Sequence, residues 1–266
     1  MTRQDTAFSI EGRIAVLTLD RPETRNALTG DRMLDEIISA IDEAERDPEV
    51  VVLVITGAGT AFSAGGNVKD MESRTGLFSG DPGTIAEGYR TTIQRLTSRM
   101  SETDLVTIAA VNGPAVGAGF DLVIGCDLRI GSTKARFAHT FSKLGILPGD
   151  GGAWLLPRVV GWQRAAELSF TARTIEAHEA RDLDILLDVV EPDGLLPRAL
   201  GLADTIASNP AHSIRLTKRL LRHTRQMDLP AFLDMTAAYQ AIAHADPEHH
   251  EAVSAFLEDL RSRRDG

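Results

Sequence analysis

The sequence predicts an α/β fold with a helical C-terminal region. Two continuous runs of β-branched and aliphatic residues, 50–55 and 105–111, are each flanked by segments with helical periodicity, which is typical of strands in buried parallel sheets. Beyond Pro192 every segment has helical character. We therefore divide the chain into an α/β core, residues 1–190, and a helical region, residues 191–266.

The N-terminal part of the core is predicted to contain a hairpin and a helix. Apolar residues alternate with polar ones between Phe8 and Leu19 on either side of Glu11-Gly12, which indicates two strands joined by a turn. Apolar residues then recur at helical spacing from Thr29 to Arg46, and the following Asp47-Pro48 ends this helix.

The rest of the chain is predicted to be mainly helical between short strands. The segment 72–88 is rich in Gly, Ser and Thr and lacks periodicity, so we predict a mobile loop there. Thr174 is the expected N-cap of a helix that runs to Leu183. The other predictions are helices over 85–99, 122–126, 162–171, 195–208, 212–224, 229–245 and 247–263, and a strand over 128–131.

Composition narrows the possible functions. The 266 residues contain no apolar run long enough to cross a membrane, and a net charge of −10 disfavours binding to nucleic acid. The single cysteine, Cys126, excludes a disulfide framework and a cysteine-based zinc site. No secretory signal is recognisable at the N-terminus. We therefore expect a cytoplasmic enzyme or small-molecule binder with no metal site and no membrane or nucleic-acid partner.

Two segments, 51–69 and 106–121, each combine a buried strand, a glycine-bearing turn and the start of a helix. Amides at a helix start have no internal partner, so two of them converging from separate loops would bind an oxyanion. Taken singly, each segment is better explained as an ordinary strand-to-helix turn. A dinucleotide fingerprint is disfavoured because Phe62 stands where the third glycine belongs, and Ala61 excludes a G-x-S-x-G elbow.

Several blocks of the sequence resemble the crotonase (enoyl-CoA hydratase/isomerase) superfamily. They include Arg21-Pro22-x-x-Arg25-Asn26-Ala27-Leu28, the segment 61–69, the segment 110–122 and further matches between Cys126 and Gly161, all in the family's order. The resemblance implies a crotonase-like spiral of repeated ββα units. It also implies an acyl-CoA substrate with no separate cofactor, and a homotrimer or homohexamer in which residues 191–266 mediate trimerisation.

The resemblance also implies roles for particular residues. The backbone amides of Gly66 and Ala118 match the positions that hold the thioester oxygen in the family, although Ala118 replaces the more usual glycine. An alanine is compatible with this role if its φ is negative. Positions expected to contact substrate or coenzyme A are Arg25, Ala27, Ala64, Gly65 and Lys69, with Arg25 and Lys69 at the phosphates. Plain surface solvation is the alternative for these two cations.

The acid–base residues depart from the pattern that the resemblance implies. Hydratases of this family use two glutamates, whose positions are here Asp121 and Phe141, and a phenyl ring cannot transfer a proton. Asp150 lies in a loop that lines the pocket in similar proteins, and either works there or caps the following helix. His139 either faces the pocket beside Phe141 or is structural.

These residues favour one class of reaction over others. One or two aspartates suffice to move a double bond, so we predict an enoyl-CoA isomerase or an atypical enoyl-CoA hydratase with an aspartate as proton shuttle. Two alternatives remain open. One is hydrolysis of a thioester or C–C bond, with Asp150 or His139 activating water. The other is a non-catalytic acyl-CoA-binding protein of the same fold.

Overall fold

Two β-sheets organise the computed structural model of the chain, which describes residues 3–224 and 226–265. The larger sheet has the strand order β1-β2-β3-β4-β6-β9, and the smaller one has the order β5-β7-β8. The strands are β1 (Thr6–Glu11), β2 (Ile14–Leu19), β3 (Val52–Gly57), β4 (Val106–Val111), β5 (Pro114–Val116), β6 (Leu128–Ser132), β7 (Arg136–Ala138), β8 (Thr174–Glu176) and β9 (Asp188–Val190).

The predicted α/β class is confirmed by the strand directions. The strands β1 and β2 form the expected antiparallel hairpin, with Glu11 opposite Ile14. From β2 onward every neighbouring pair in the larger sheet is parallel. Parallel neighbours require crossover connections, and helices supply them.

The helices surround the larger sheet and extend into the C-terminal region. They are α1 (Asp31–Arg46), α2 (Val68–Ser73), α3 (Pro82–Thr91), α4 (Ile93–Glu102), α5 (Ala118–Gly125), α6 (Gly152–Thr171), α7 (Ala177–Asp182), α8 (Leu195–Ala207), α9 (Ala211–His223), α10 (Leu229–Ala245) and α11 (Pro247–Asp265). Short 3₁₀ helices cover Pro22–Thr24, Gly76–Phe78, Thr140–Leu144 and Pro192–Gly194. Of the helices described, none is long and apolar enough to span a bilayer.

A ββα unit repeats along the core. The strand β4 of the larger sheet is followed by β5 of the smaller sheet and then by α5, and β6, β7 and α6 repeat this order. After β3, Ser63 makes an isolated parallel bridge to Ala115 of β5 before α2 begins. Each unit therefore leaves the larger sheet, contacts the smaller one and continues into a helix; α5 leads back to β6 of the larger sheet, whereas α6 leads to β8 of the smaller one.

Both faces of the larger sheet are buried. In β3, Leu53 and Ile55 belong to the apolar cluster beneath α1 and α4, whereas Val52 and Val54 belong to a second cluster on the opposite face. That second face is covered by α8. The predicted boundary at residues 190/191 falls between β9 and this helix.

The prediction of a mobile loop over 72–88 is wrong for most of that segment. It contains the end of α2, a 3₁₀ helix and the start of α3. These short helices are specified by their caps, because Asn67 accepts a hydrogen bond from Lys69 N, and Asp81 accepts from the amides of Gly83 and Thr84. Caps of this kind leave no signal in hydrophobic periodicity.

Three helix starts also differ from the prediction. The helix α5 begins at Ala118 rather than at residue 122, and α6 begins at Gly152, ten residues before the predicted start at 162. The helix α6 is kinked at Gly161, whose φ of 75° is not helical. Thr174 is not an N-cap: β8 pairs with β7, which makes Thr174 part of a strand, and α7 begins at Ala177.

Candidate active site

Two loops from neighbouring ββα units are joined by backbone hydrogen bonds. The amides of Phe62 and Ser63 both donate to the Pro114 carbonyl, at 3.0 and 3.2 Å, and Val116 N donates to Ser63 O at 3.0 Å. The Ser63 hydroxyl is buried, donates to the Asn26 carbonyl at 2.7 Å and accepts from Gly65 N at 3.1 Å. These contacts hold the end of one loop against the start of α5.

Glycine is required where these loops meet. Gly65 has a φ of +75°, and a Cβ at this position would lie 2.3 Å from the Val116 carbonyl oxygen and 3.0 Å from Ala118 N. A Cβ at Gly119 would lie 2.4 Å from the Ser63 carbonyl oxygen. Because both contacts are with backbone, which cannot move aside as a flexible side chain does, larger residues would separate the loops.

Gly66 and Ala118 lie at one cavity. Both residues line it, and among the described residues neither amide nitrogen has a hydrogen-bond acceptor. Ala118 is the first residue of α5, where the helix dipole places partial positive charge, and its φ is negative. The two unpaired donors at one cavity form an arrangement that can accept a developing oxyanion.

Asp150 is the carboxylic acid of this cavity. It is 6% exposed and lines the wall with Gly66, Ala118 and Phe141. Burial, and secondly the negative charge of Asp121, raise the pKa of Asp150 to about 7. Its loop is held from α4, because Gln94 Nε2 donates to Gly149 O at 2.9 Å and Thr97 Oγ1 donates to Asp150 O at 2.5 Å.

The cap at the start of α6 comes from Asp121 and not from Asp150. Gly152 N donates to Asp121 Oδ2 at 3.0 Å, whereas no described residue hydrogen-bonds the Asp150 carboxylate. Asp121 is buried, does not line the cavity, and has its pKa raised by that burial. Of the two aspartates expected at the cavity, only Asp150 therefore lies on its wall.

His139 is a buried residue behind the cavity wall. Its Nε2 lies 3.3 Å from Asp121 Oδ1, within ion-pair distance, although the direction is not that of a good hydrogen bond. Its Nδ1 lies 2.9 Å from Ser169 Oγ of α6. The imidazole packs edge-on against Phe141, with ring centroids 4.9 Å apart. Phe141 reaches the cavity and His139 does not.

The segment 68–93 contributes a set of apolar and aromatic side chains to the cavity wall. The structure shows that Tyr89, near the end of α3, and Ile93, at the start of α4, line the cavity together with Val68, Met71, Leu77 and Phe78. Tyr89 packs on the Asp150 loop, since a Cβ on Gly149 would lie 3.2 Å from its ring.

The positions expected to contact coenzyme A cluster at one edge of the site. Ala64 lines the cavity and its amide donates to the Arg25 carbonyl at 2.9 Å, while Leu28 N donates to Gly65 O at 2.9 Å. Ala27, between these two bonds, is buried. Arg25 and Lys69 have exposed side chains, and within the described residues neither forms an ion pair. Lys69 lies two residues after Asn67, the N-cap of α2.

Comparison with known proteins identifies similar chains over almost the full length. The family model described as Enoyl-CoA hydratase/isomerase matches residues 9–264. The short-chain-enoyl-CoA hydratase of Clostridium acetobutylicum is 34% identical, over 93% of this chain and 92% of that protein. The 1,2-epoxyphenylacetyl-CoA isomerase of Escherichia coli is 34% identical, over 93% of each. The solved structure of a Thermobifida fusca protein in complex with CoA has a TM-score of 0.81 and 34% identity, covering 91% of this chain and 93% of that one.

Proposed function

Because this chain belongs to the enoyl-CoA hydratase/isomerase family, we propose that it binds an acyl-CoA thioester and moves the carbon–carbon double bond of an enoyl group. The observation that carries the proposal is one cavity wall on which the described residues include Gly66 and Ala118, whose amides have no acceptor among them, and one carboxylic acid, Asp150. This combination supplies both parts of an enolate mechanism, an oxyanion site and a proton carrier.

The proposed step begins with a 3-enoyl thioester whose carbonyl oxygen accepts hydrogen bonds from Gly66 N and Ala118 N. The Asp150 carboxylate removes a proton from C2, and the electron pair of that C–H bond moves into a dienolate with its negative charge on the thioester oxygen. Asp150 then returns the proton to C4, which leaves the double bond between C2 and C3. Each amide donor contributes about 3–4 kcal/mol of transition-state stabilisation in comparable sites.

The environment of Asp150 supports this role. A group that both takes and returns a proton works best when its pKa is near the working pH, and burial and the Asp121 charge raise the pKa of Asp150 to about 7. Both protonation states are then populated near neutrality. An ordinary surface aspartate would hold almost no proton there.

Phe141 favours isomerisation over hydration. Adding water to a double bond requires one group that activates the water and a proton delivered to the neighbouring carbon. Of the described residues that line the cavity, Asp150 is the only carboxylic acid, and Phe141 occupies wall that a second acid would need. Asp121 is enclosed behind that wall. Hydration, the activity named for the Clostridium relative, is therefore the second candidate.

Binding of coenzyme A is proposed at the edge formed by Ala64, Gly65 and Ala27. The unpaired Arg25 and Lys69 side chains would contact the phosphates and supply local positive charge on a chain whose net charge is −10. The CoA complex of the Thermobifida relative supports a coenzyme A ligand for this fold. No other cofactor is needed for the step above.

A homotrimer or homohexamer is proposed from the C-terminal helices. No residue of α10 is buried, and large apolar side chains of both helices are exposed. Leu229 of α10 is 66% exposed and Phe256 of α11 is 63% exposed. Apolar side chains left uncovered on two helices suit contact with other copies of the chain. Light scattering after size-exclusion chromatography would give three or six times the 28.7 kDa chain mass, and a monomer would contradict this part of the proposal.

The decisive experiment follows hydrogen at C2 directly. Butyryl-CoA incubated in D₂O should exchange its C2 hydrogens in the presence of the enzyme, as measured by mass spectrometry, and 3-hexenoyl-CoA should be converted to the 2-enoyl isomer. Asp150→Asn should abolish both reactions, whereas the exposed control Asp193→Asn should retain them.

Other outcomes identify the alternatives. If water is added to crotonyl-CoA faster than the double bond is moved, the protein is a hydratase. If free CoA is released, it is a hydrolase. CoA-ester binding without any exchange would establish a non-catalytic binder. Full activity of Asp150→Asn would overturn the mechanism.

A further inference from the structure

We propose that Asp121 and His139 form a buried positioning pair that acts on the substrate only through the Asp150 loop. The inference rests on the proposed function, because it concerns how Asp150 is held and charged. It assigns to Asp121 a role different from the one implied by its position, which matches a residue that transfers protons in the hydratases.

The first argument is steric and concerns the start of α6. The Asp121 carboxylate accepts a hydrogen bond from Gly152 N at 3.0 Å, only two residues after Asp150. A Cβ on Gly152 would lie 2.1 Å from Asp121 Oδ1, so this approach is possible only with glycine. The carboxylate therefore anchors the backbone that carries Asp150 into the cavity.

The second argument concerns what surrounds Asp121. His139 lies against its other oxygen, with Nε2 3.3 Å from Oδ1, and the histidine ring is itself connected to Ser169 Oγ at 2.9 Å. Side-chain exposures of 3% and 1% for Asp121 and His139 leave no access for substrate. The edge-on contact of His139 with Phe141 places the pair directly behind the cavity wall.

The third argument concerns charge. The titratable groups that face Asp150 are Asp121 from α5 and Tyr89 from α3. Burial and the charge of Asp150 raise the pKa of the Tyr89 phenol, so it stays neutral near pH 7. Asp121 therefore supplies the charge that opposes ionisation of Asp150.

His139 and Gly152 N help Asp121 to keep that charge, whereas no described residue does the same for Asp150. Two neighbouring carboxyls thus lie in unlike surroundings: Asp121 is bound to a backbone amide beside His139, and Asp150 lines the cavity without such a partner among the described residues.

The test is the pH profile of C2 hydrogen exchange with butyryl-CoA as the probe. In wild type, the rate should rise with pH through a midpoint near 7, as Asp150 ionises. In Asp121→Asn the opposing charge is gone, so the midpoint should fall by about one pH unit. Relative to its own plateau, the variant should then be roughly fivefold faster than wild type at about pH 6.

A matched control separates this effect from a general loss of stability. Asp5 is another buried aspartate, with a side-chain exposure of 4%, and it is paired with Arg32 at 2.8 Å. Asp5→Asn should lower the melting temperature and leave the midpoint unchanged. A midpoint in Asp121→Asn equal to that of wild type would overturn the proposal, as would a loss of more than about a thousandfold at every pH, which indicates direct proton transfer.

His139→Gln provides a second variant if Asp121→Asn does not fold. The contact with His139 lowers the pKa of Asp121, so Asp121 should hold its proton to higher pH when the imidazole is removed. The midpoint should again fall, by less than in Asp121→Asn, and an unchanged midpoint contradicts the proposal. Loss of exchange in Asp150→Asn with no midpoint change in either variant would refute this inference alone. Retained exchange in Asp150→Asn would refute the proposed function.

Discussion

Replacing Asp150 with asparagine is expected to abolish proton transfer and, near and above neutral pH, to stabilise the folded protein. An amide of nearly the same shape cannot take and return a proton, so catalysis is lost. The same change removes a carboxyl group that folding places where ionisation is unfavourable. Asp150 is 6% exposed, and Asp121 adds a like charge nearby. Activity and stability should therefore change in opposite directions.

The size of the stabilisation follows from the pKa. Burial and the Asp121 charge raise the pKa of Asp150 from the ordinary 3.8 to about 7. Between these values the folded state keeps a proton that the unfolded state has released, so the free energy of unfolding falls as pH rises. At about 1.4 kcal/mol per pH unit, wild type loses roughly 4 kcal/mol over that window. The asparagine variant does not titrate and avoids this loss.

The difference in the free energy of unfolding between the two proteins is measured by urea unfolding. The measurement is made at a series of pH values between about 4 and 8 and at one protein concentration. The variant's advantage should be smallest near pH 4, grow through the window and level off above pH 7. Asp193→Asn, at an exposed position, should give no such trend. An advantage that does not change with pH, or a variant less stable than wild type at pH 8, would refute the reasoning.

Three further variants test the loops that build the site and the two cations at its edge. Gly65→Ala should destabilise the protein by about 1–3 kcal/mol and abolish turnover. The reason is that φ at this position is +75° and the added Cβ would lie 2.3 Å from the Val116 carbonyl oxygen. Wild-type turnover together with an unchanged melting temperature would contradict this prediction. Gly152→Ala, with a Cβ 2.1 Å from the carboxylate that caps α6, should cost more than about 2 kcal/mol in urea unfolding, and a smaller cost would show that the cap can move aside. The double variant Arg25→Ala with Lys69→Ala removes both exposed cations and should raise KM for the CoA thioester about tenfold or more at unchanged kcat. This magnitude is expected because charge-assisted hydrogen bonds contribute about 1.5–3 kcal/mol. An unchanged KM would mean that these side chains are merely solvated.

Much of the fold could be predicted because hydrophobic periodicity reports burial. The alternating pattern around Glu11-Gly12 became the β1–β2 hairpin, and the continuous apolar runs became β3 and β4, buried on both faces. The predictions failed where local capping or a bend sets the structure. Short helices capped by Asn67 and Asp81 replaced the predicted loop, and the kink at Gly161 concealed the first half of α6.

The candidate site was predictable only as a set of residue types. Sequence blocks indicated Gly66, Ala118, Asp121 and Asp150, but their spacing along the chain does not say which side chains share a cavity. The structure gives the two aspartates unlike surroundings, since one is enclosed beside His139 and bound to Gly152 N while the other lines the wall. The choice between a capping and a cavity-facing Asp150 depended on which carboxylate reaches that amide.

The sequence by itself determined the class of the fold, because apolar runs and helical periodicity report burial. It also determined the glycines that allow two loops to touch and the loss of a second acid at Phe141, because each of these depends on one residue type at one position. Only the tertiary structure decided the electrostatics. The proton affinity of Asp150 depends on how deeply it is buried and on a charge from another helix. Both are distances through space, which a linear order of residues does not contain.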